Sequence, residues 1–233
     1  MKSPNKQRSY AALGYLYVVS KQHENAIPAL NKAITMKPND FNSLLNRGTV
    51  YEELGLDDKA ISDYNKANTI NPSNSDPYIL KVEIYKKQRN YKAAFFNLDK
   101  AISFNPHSPT CYTERGILWL KKTRMDKALE DFQKALIIEP LDFNALNGRA
   151  IVYCSTDRYS SAIEDLNQAQ KVDPTNVTVY KNRANCLLKM GQIQKALKDF
   201  ETVIHLDPSD VQSQKIYQVL RSSKIKIREQ QIN

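Results

Sequence analysis

Apolar residues recur along this chain at spacings of three and four, in two runs divided by a short polar break, and the pair of runs then starts again. That spacing puts the apolar positions on one face of a helix, so each pair predicts two amphipathic helices joined by a turn. The run from Phe143 to Asn176 states the pattern in one pass. Pro174 near its end belongs to a series, Pro38, Pro72, Pro106, Pro140, Pro174 and Pro208, in which every step is 34 residues. Proline ends a helix because it lacks the amide that the next turn needs and crowds the preceding one.

Taking each proline as position 32, the units begin at Gln7, Phe41, Ser75, Pro109, Phe143 and Val177. Position 20 is then alanine in every unit, from Ala26 to Ala196. Position 8 is small in five units (Gly14, Gly48, Gly116, Ala150, Ala184), and position 11 is aromatic in five, from Tyr17 to Tyr153. Small residues let paired helices approach, and the aromatic fills the space beside them. Position 34 is Asp40, Asn74, Ser108, Asp142, Asn176 or Asp210, each able to cap the helix that follows. This pattern resembles the tetratricopeptide repeat. The resemblance implies an all-α, right-handed α-solenoid of six tandem helix-turn-helix repeats (7–40, 41–74, 75–108, 109–142, 143–176, 177–210). A polar segment, 1–6, precedes it, and a basic capping helix and tail, 211–233, follow.

Two kinds of position depart from simple repetition. Arg47, Arg115, Arg149 and Arg183 at position 7 accompany Asp63, Asp131, Asp165 and Asp199 at position 23, whereas unit one has Leu13 and Ala29 and unit three Lys81 and Asn97. Arginine and aspartate therefore occur together or not at all, which predicts a partly buried ion pair, made within each such unit or across to the adjacent one. In unit one Pro28 falls early in the second helix, where a modest distortion is expected. In unit three Val82 replaces the small residue at position 8, and Phe96 stands at position 22 on the expected outer surface, a second candidate contact.

Composition narrows the function more than the fold. Three cysteines, Cys111, Cys154 and Cys186, sit at different repeat positions with no paired spacing. That predicts a reducing, cytoplasmic setting without disulfide framework or zinc site. The basic, apolar N-terminus imitates a signal peptide, yet Tyr10, Leu13, Gly14 and Tyr17 already fit the first helix of the repeat. The net charge is +9, and the segment from Val211 carries Lys215, Arg221, Lys224, Lys226 and Arg228 against Glu229. Its apolar residues Ile216, Tyr217, Val219, Leu220 and Ile227 predict a helix that covers the last unit.

No catalytic set emerges: His23, His107 and His205 lie at different repeat positions, and the six glycines are accounted for by close packing or turns. The expectation is a non-enzymatic chain without cofactor or metal. In repeats of this kind the first helix of each unit lines a groove, so the resemblance points to Asn42, Asn46, Glu83, Thr113, Asn147, Lys181, Asn182 and Asn185 as candidate protein- or peptide-binding residues. Amide side chains both donate to and accept from an extended backbone. The expected function is a scaffold or adaptor that binds an extended peptide or partner protein in that concave groove, as part of a larger complex. The alternatives are a co-chaperone-type adaptor for heat-shock chaperones and a binder of nucleic acid or an anionic surface through the basic tail. For the first, Lys181 and Asn185 match one pair of the chaperone clamp, but Gln212 and Ile216 do not complete it.

Overall fold

The computed structural model describes residues 4–230, with side chains over 5–222. Among the described residues there are thirteen helices and no strand. They are α1 (Pro4–Val19), α2 (His23–Met36), α3 (Phe41–Glu53), α4 (Asp57–Ile70), α5 (Asp76–Lys87), α6 (Tyr91–Phe104), α7 (Pro109–Lys121), α8 (Met125–Ile138), α9 (Phe143–Ser155), α10 (Tyr159–Val172), α11 (Val177–Lys189), α12 (Ile193–Leu206) and α13 (Val211–Gln230). They gather into two compact units, Met1–His107 and Ser108–Asn233. The first holds three helical hairpins, α1–α2, α3–α4 and α5–α6; the second holds α7–α8, α9–α10 and α11–α12, with α13 packed on α12.

Every hairpin turns at position 15 in the same way. Lys21, Gly55, Arg89, Thr123, Asp157 and Gly191 all have φ between 54° and 71°. The residue after each donates its amide to the carbonyl at position 11, as in Leu56 to Tyr51 at 2.7 Å and Arg158 to Tyr153 at 2.8 Å. These bonds satisfy carbonyls that the helix end would leave orphaned.

The six position 20 alanines are fully buried, as are Tyr64, Phe132 and Phe200 at position 24. Small residues at position 8 are required by these rings: a Cβ on Gly48 would stand 2.5 Å from the Tyr64 ring. Val82 is also buried, in the unit whose position 24 is Leu98. Helix α2 runs through Pro28, which lies in its second turn and forfeits the one bond to the Glu24 carbonyl.

Of the position 34 residues, Asn74, Asp142, Asn176 and Asp210 accept an amide of the next helix. Ser108 makes no such cap, and Asp40 instead receives the Ser43 hydroxyl at 2.6 Å. On α13, Ile216, Tyr217 and Leu220 pack against Ala184, Leu187, Ala196 and Phe200. Val219 is 65% exposed. The side chains of Lys224, Lys226, Ile227 and Arg228 lie outside the described residues.

One expectation is overturned. Cys154 and Cys186 are joined in a disulfide, with their Cα atoms 5.9 Å apart. Helices α9 and α11 lie side by side, and their offset brings position 12 of one unit opposite position 10 of the next. Equal repeat positions are therefore the wrong test for pairing, and the cysteine argument for a reducing compartment loses its support. Cys111 is buried and stands apart from the pair.

Candidate functional site

The candidate residues ride on the first helix of each hairpin. The helical period carries Asn42 and Asn46 onto one face of α3, one turn apart. In the first unit this face and α1 enclose a hollow of about 390 Å³ lined by Ala11, Ala12, Tyr15, Asn42, Leu45 and Asn46, with Ser43 at its base. Tyr15 is 54% exposed there. Among the described residues, neither asparagine has a side-chain hydrogen bond, so both amides remain available. Glu83, on α5, is exposed and engaged with Lys86 at 2.7 Å. Glu52, near the C-terminal end of α3, accepts from the Tyr64 hydroxyl at 3.1 Å and lies 3.7 Å from Lys87. Burial pushes the Glu52 carboxyl up, with the Tyr64 hydrogen bond opposing.

In the second unit most of the predicted residues are committed to the protein itself. Thr113 is buried and donates to the Asp142 carboxylate at 2.9 Å. Lys181 reaches Asp210 at 2.7 Å, and Asn182 donates to Asn147 at 2.8 Å. Thr113 and Lys181, both at position 5, thus each brace the residue that precedes the helix of the next unit. Asn185 is exposed and, among the described residues, makes no side-chain hydrogen bond. Ile216 is packed against the core of the last hairpin, so it does not complete the clamp begun by Lys181 and Asn185. Outside this face, Phe96 is 58% exposed with Lys100 Nζ 5.9 Å from its ring centre, on the outer stripe expected for it.

A second hollow, of about 630 Å³, was not signalled by the sequence. It lies among α10, α11 and α12, with Ile163, Tyr180 and Leu187 at its floor and Lys195 and Lys198 at its rim. These residues come from different units and positions, so no motif links them. The predicted arginine–aspartate pairs are all present: Arg47–Asp63, Arg115–Asp131, Arg149–Asp165 and Arg183–Asp199 each make two hydrogen bonds of 2.7–2.8 Å. Four cations are therefore structural and do not form a ligand patch. Among the described residues no three His, Cys, Asp or Glu side chains gather as a metal site, and no helix is long and apolar enough to cross a membrane.

Comparison with known proteins agrees with this architecture. Tetratricopeptide repeat family signatures match residues 7–40, 41–74, 75–108, 113–177 and 177–210. No curated protein matches the sequence. Among solved structures, Pseudomonas aeruginosa PilF shares 17% identity with a TM-score of 0.80, over 91% of this chain and 96% of that one. YrrB, described as a TPR protein with an unusual peptide-binding site, shares 18% identity with a TM-score of 0.68, over 82% of this chain and 98% of that one. A chain of the APC/C hetero-tetramer Cut9-Hcn1 shares 20% identity with a TM-score of 0.75 over 93% of this chain, which spans 43% of its length. At such identities the likeness is one of fold. With repeat signatures covering nearly the whole of it, the chain belongs to the tetratricopeptide repeat family.

Proposed function

We propose that the protein is a non-enzymatic scaffold that holds an extended segment of a partner protein on the faces of its first helices. The observation that carries this reading is the pair Asn42 and Asn46, uncommitted amides beside the exposed Tyr15 in the hollow between α1 and α3. An extended peptide needs donors and acceptors for its backbone and an aromatic surface for a side chain, and these three residues supply both. Asn185 offers the same chemistry on α11. Thr113, Lys181, Asn147 and Asn182 act instead as braces of the surface. The family to which the chain belongs is generally one of non-catalytic interaction modules, and YrrB, of like fold, is described as having a peptide-binding site.

The test is selection of peptides from a random displayed library by the full chain, followed by affinity measurement with the Asn42→Ala, Asn46→Ala double variant. A loss of affinity of about tenfold, roughly one hydrogen bond to each amide, is expected. Selected peptides that bind the variant as tightly as the unaltered chain would remove the assignment.

A further inference from the structure

The disulfide between Cys154 and Cys186 joins two first helices, α9 and α11, that belong to consecutive hairpins. It lies seven residues after Asn147 on α9 and four after Asn182 on α11, and those two asparagines form a second bridge between the same helices. The two cysteines differ in exposure. Cys186 is 1% exposed, within the core, while Cys154 is half-buried.

We propose that this pair is a reversible thiol-exchange site, entered at Cys154 by low-molecular-weight thiols and disulfides, which fastens or releases α9 and α11 while the hairpins stay folded. Exchange requires a thiolate to reach one sulfur and displace the other, and Cys154 is the more exposed of the two cysteines. Attack of a dithiol reagent there breaks the Cys154–Cys186 bond and forms a mixed disulfide on Cys154. Cys186 leaves as a thiolate and takes a proton. The reagent's second thiolate then displaces Cys154, which is protonated in turn, and closes the reagent's own disulfide. The pair has gained two electrons and two protons, and the dithiol has lost them. A small disulfide reverses each step.

Release does not unfold the region, because other contacts hold these hairpins. Leu166, Ala169, Ala184 and Leu187 are buried, and Arg149–Asp165 and Arg183–Asp199 clasp each hairpin independently of the sulfurs. What reduction changes is the tie between neighbouring first helices, leaving the Asn147–Asn182 hydrogen bond as the polar bridge. This inference does not depend on the peptide reading, since its readouts need no ligand.

The experiment uses the full chain purified without reductant. Intact mass and thiol titration are followed as dithiothreitol, then glutathione disulfide, is added without denaturant. Two thiols are expected to appear and then disappear, and hydrogen exchange should quicken in α9 and α11 but not in α7 and α8. Glutathione trapped on the partly reduced unaltered chain should map to Cys154. In single variants, Cys154 in Cys186→Ser should alkylate at least tenfold faster than Cys186 in Cys154→Ser, and Cys111 should resist in both. The proposal is overturned if the purified chain carries no bonded pair and glutathione disulfide does not close one. It also falls if reduction needs denaturant, or if the trapped adduct sits on Cys186.

Discussion

Arg47 donates from Nε and Nη2 to the two carboxylate oxygens of Asp63, each at 2.7 Å, and from Nη1 to Asn31 of the preceding hairpin at 2.7 Å. The Asp63 side chain is 3% exposed and that of Arg47 15%. The guanidinium therefore ties its own hairpin together and reaches the one before. The Asp63 hydrogen bonds hold its pKa above the usual range for arginine. Replacing Asp63 with Ala leaves a buried cation without its counter-ion and should cost about 3 kcal/mol in urea-induced unfolding. Arg47→Lys should also lose stability, because a single ammonium cannot make the two-pronged contact. The double variant Arg47→Met, Asp63→Leu removes both charges and should lie above Asp63→Ala. If it is instead the least stable of the three, the pair does more than neutralise itself.

Unit three shows what happens without the pair. Lys81 is 6% exposed and donates to Asn65 at 3.0 Å and Asn68 at 2.8 Å, with its ammonium 4.9 Å from the Tyr78 ring centre. Burial lowers its pKa. Asn97, at the position that is aspartate elsewhere, turns its amide to the Ala93 carbonyl and leaves its own buried oxygen unbonded. Lys81→Arg with Asn97→Asp should rebuild the clasp and add about 1–2 kcal/mol, the worth of hydrogen bonds to charged groups. Lys81→Arg alone should destabilise. Equal midpoints for the double variant and the native chain would show that the site cannot close around an arginine.

Thr123 is the least suited of the six residues at position 15. It holds φ at 55°, where a β-branched side chain crowds its own backbone, whereas Gly55 and Gly191 adopt 71° freely. Thr123→Gly relieves roughly 1–2 kcal/mol of strain against up to about 1 kcal/mol of added chain entropy. A net gain of about 0.5–1 kcal/mol is expected in thermal or urea unfolding. Gly55→Ala should lose a similar amount. A Thr123→Gly variant less stable than the native chain would contradict the strain argument.

These cases mark what could be read from the chain alone. The proline ladder and alanine row were legible because helix ends and helix crossings admit few residue types. The arginine–aspartate pairs were legible because both partners share one hairpin and vanish together. The uniform turn at position 15 was obscured, since two glycines among six residues dilute the usual signal for a left-handed helix end. The links between hairpins were hidden for a different reason. Cys154 with Cys186, and Asn147 with Asn182, join unlike repeat positions through the stagger of neighbouring helices. Thr113 looked like a ligand contact and proved to brace Asp142, because the residue type alone does not say which neighbour will use its hydroxyl.

Asp210 gives the cap a pH dependence whose sign can be worked out. Its carboxylate meets Lys181 at 2.7 Å, the Ser213 hydroxyl at 2.8 Å and the Ser213 amide at 3.2 Å. With Lys181 first, these bonds lower its pKa from 3.8 to about 2. Because the folded pKa is depressed, the stabilisation is whole above about pH 4 and fades as pH falls towards 2. Protonation removes the acceptor that anchors the start of α13 and frees Lys181. Acid titration should therefore release α13 from α12 before the hairpins open, seen as early loss of amide protection within 211–222. Asp210→Asn keeps a cap but not the charge, so its protection should be lower at neutral pH and flat between pH 4 and 2. If α13 in the native chain stays as protected at pH 2.5 as at pH 6, the Lys181 bridge does not hold the cap.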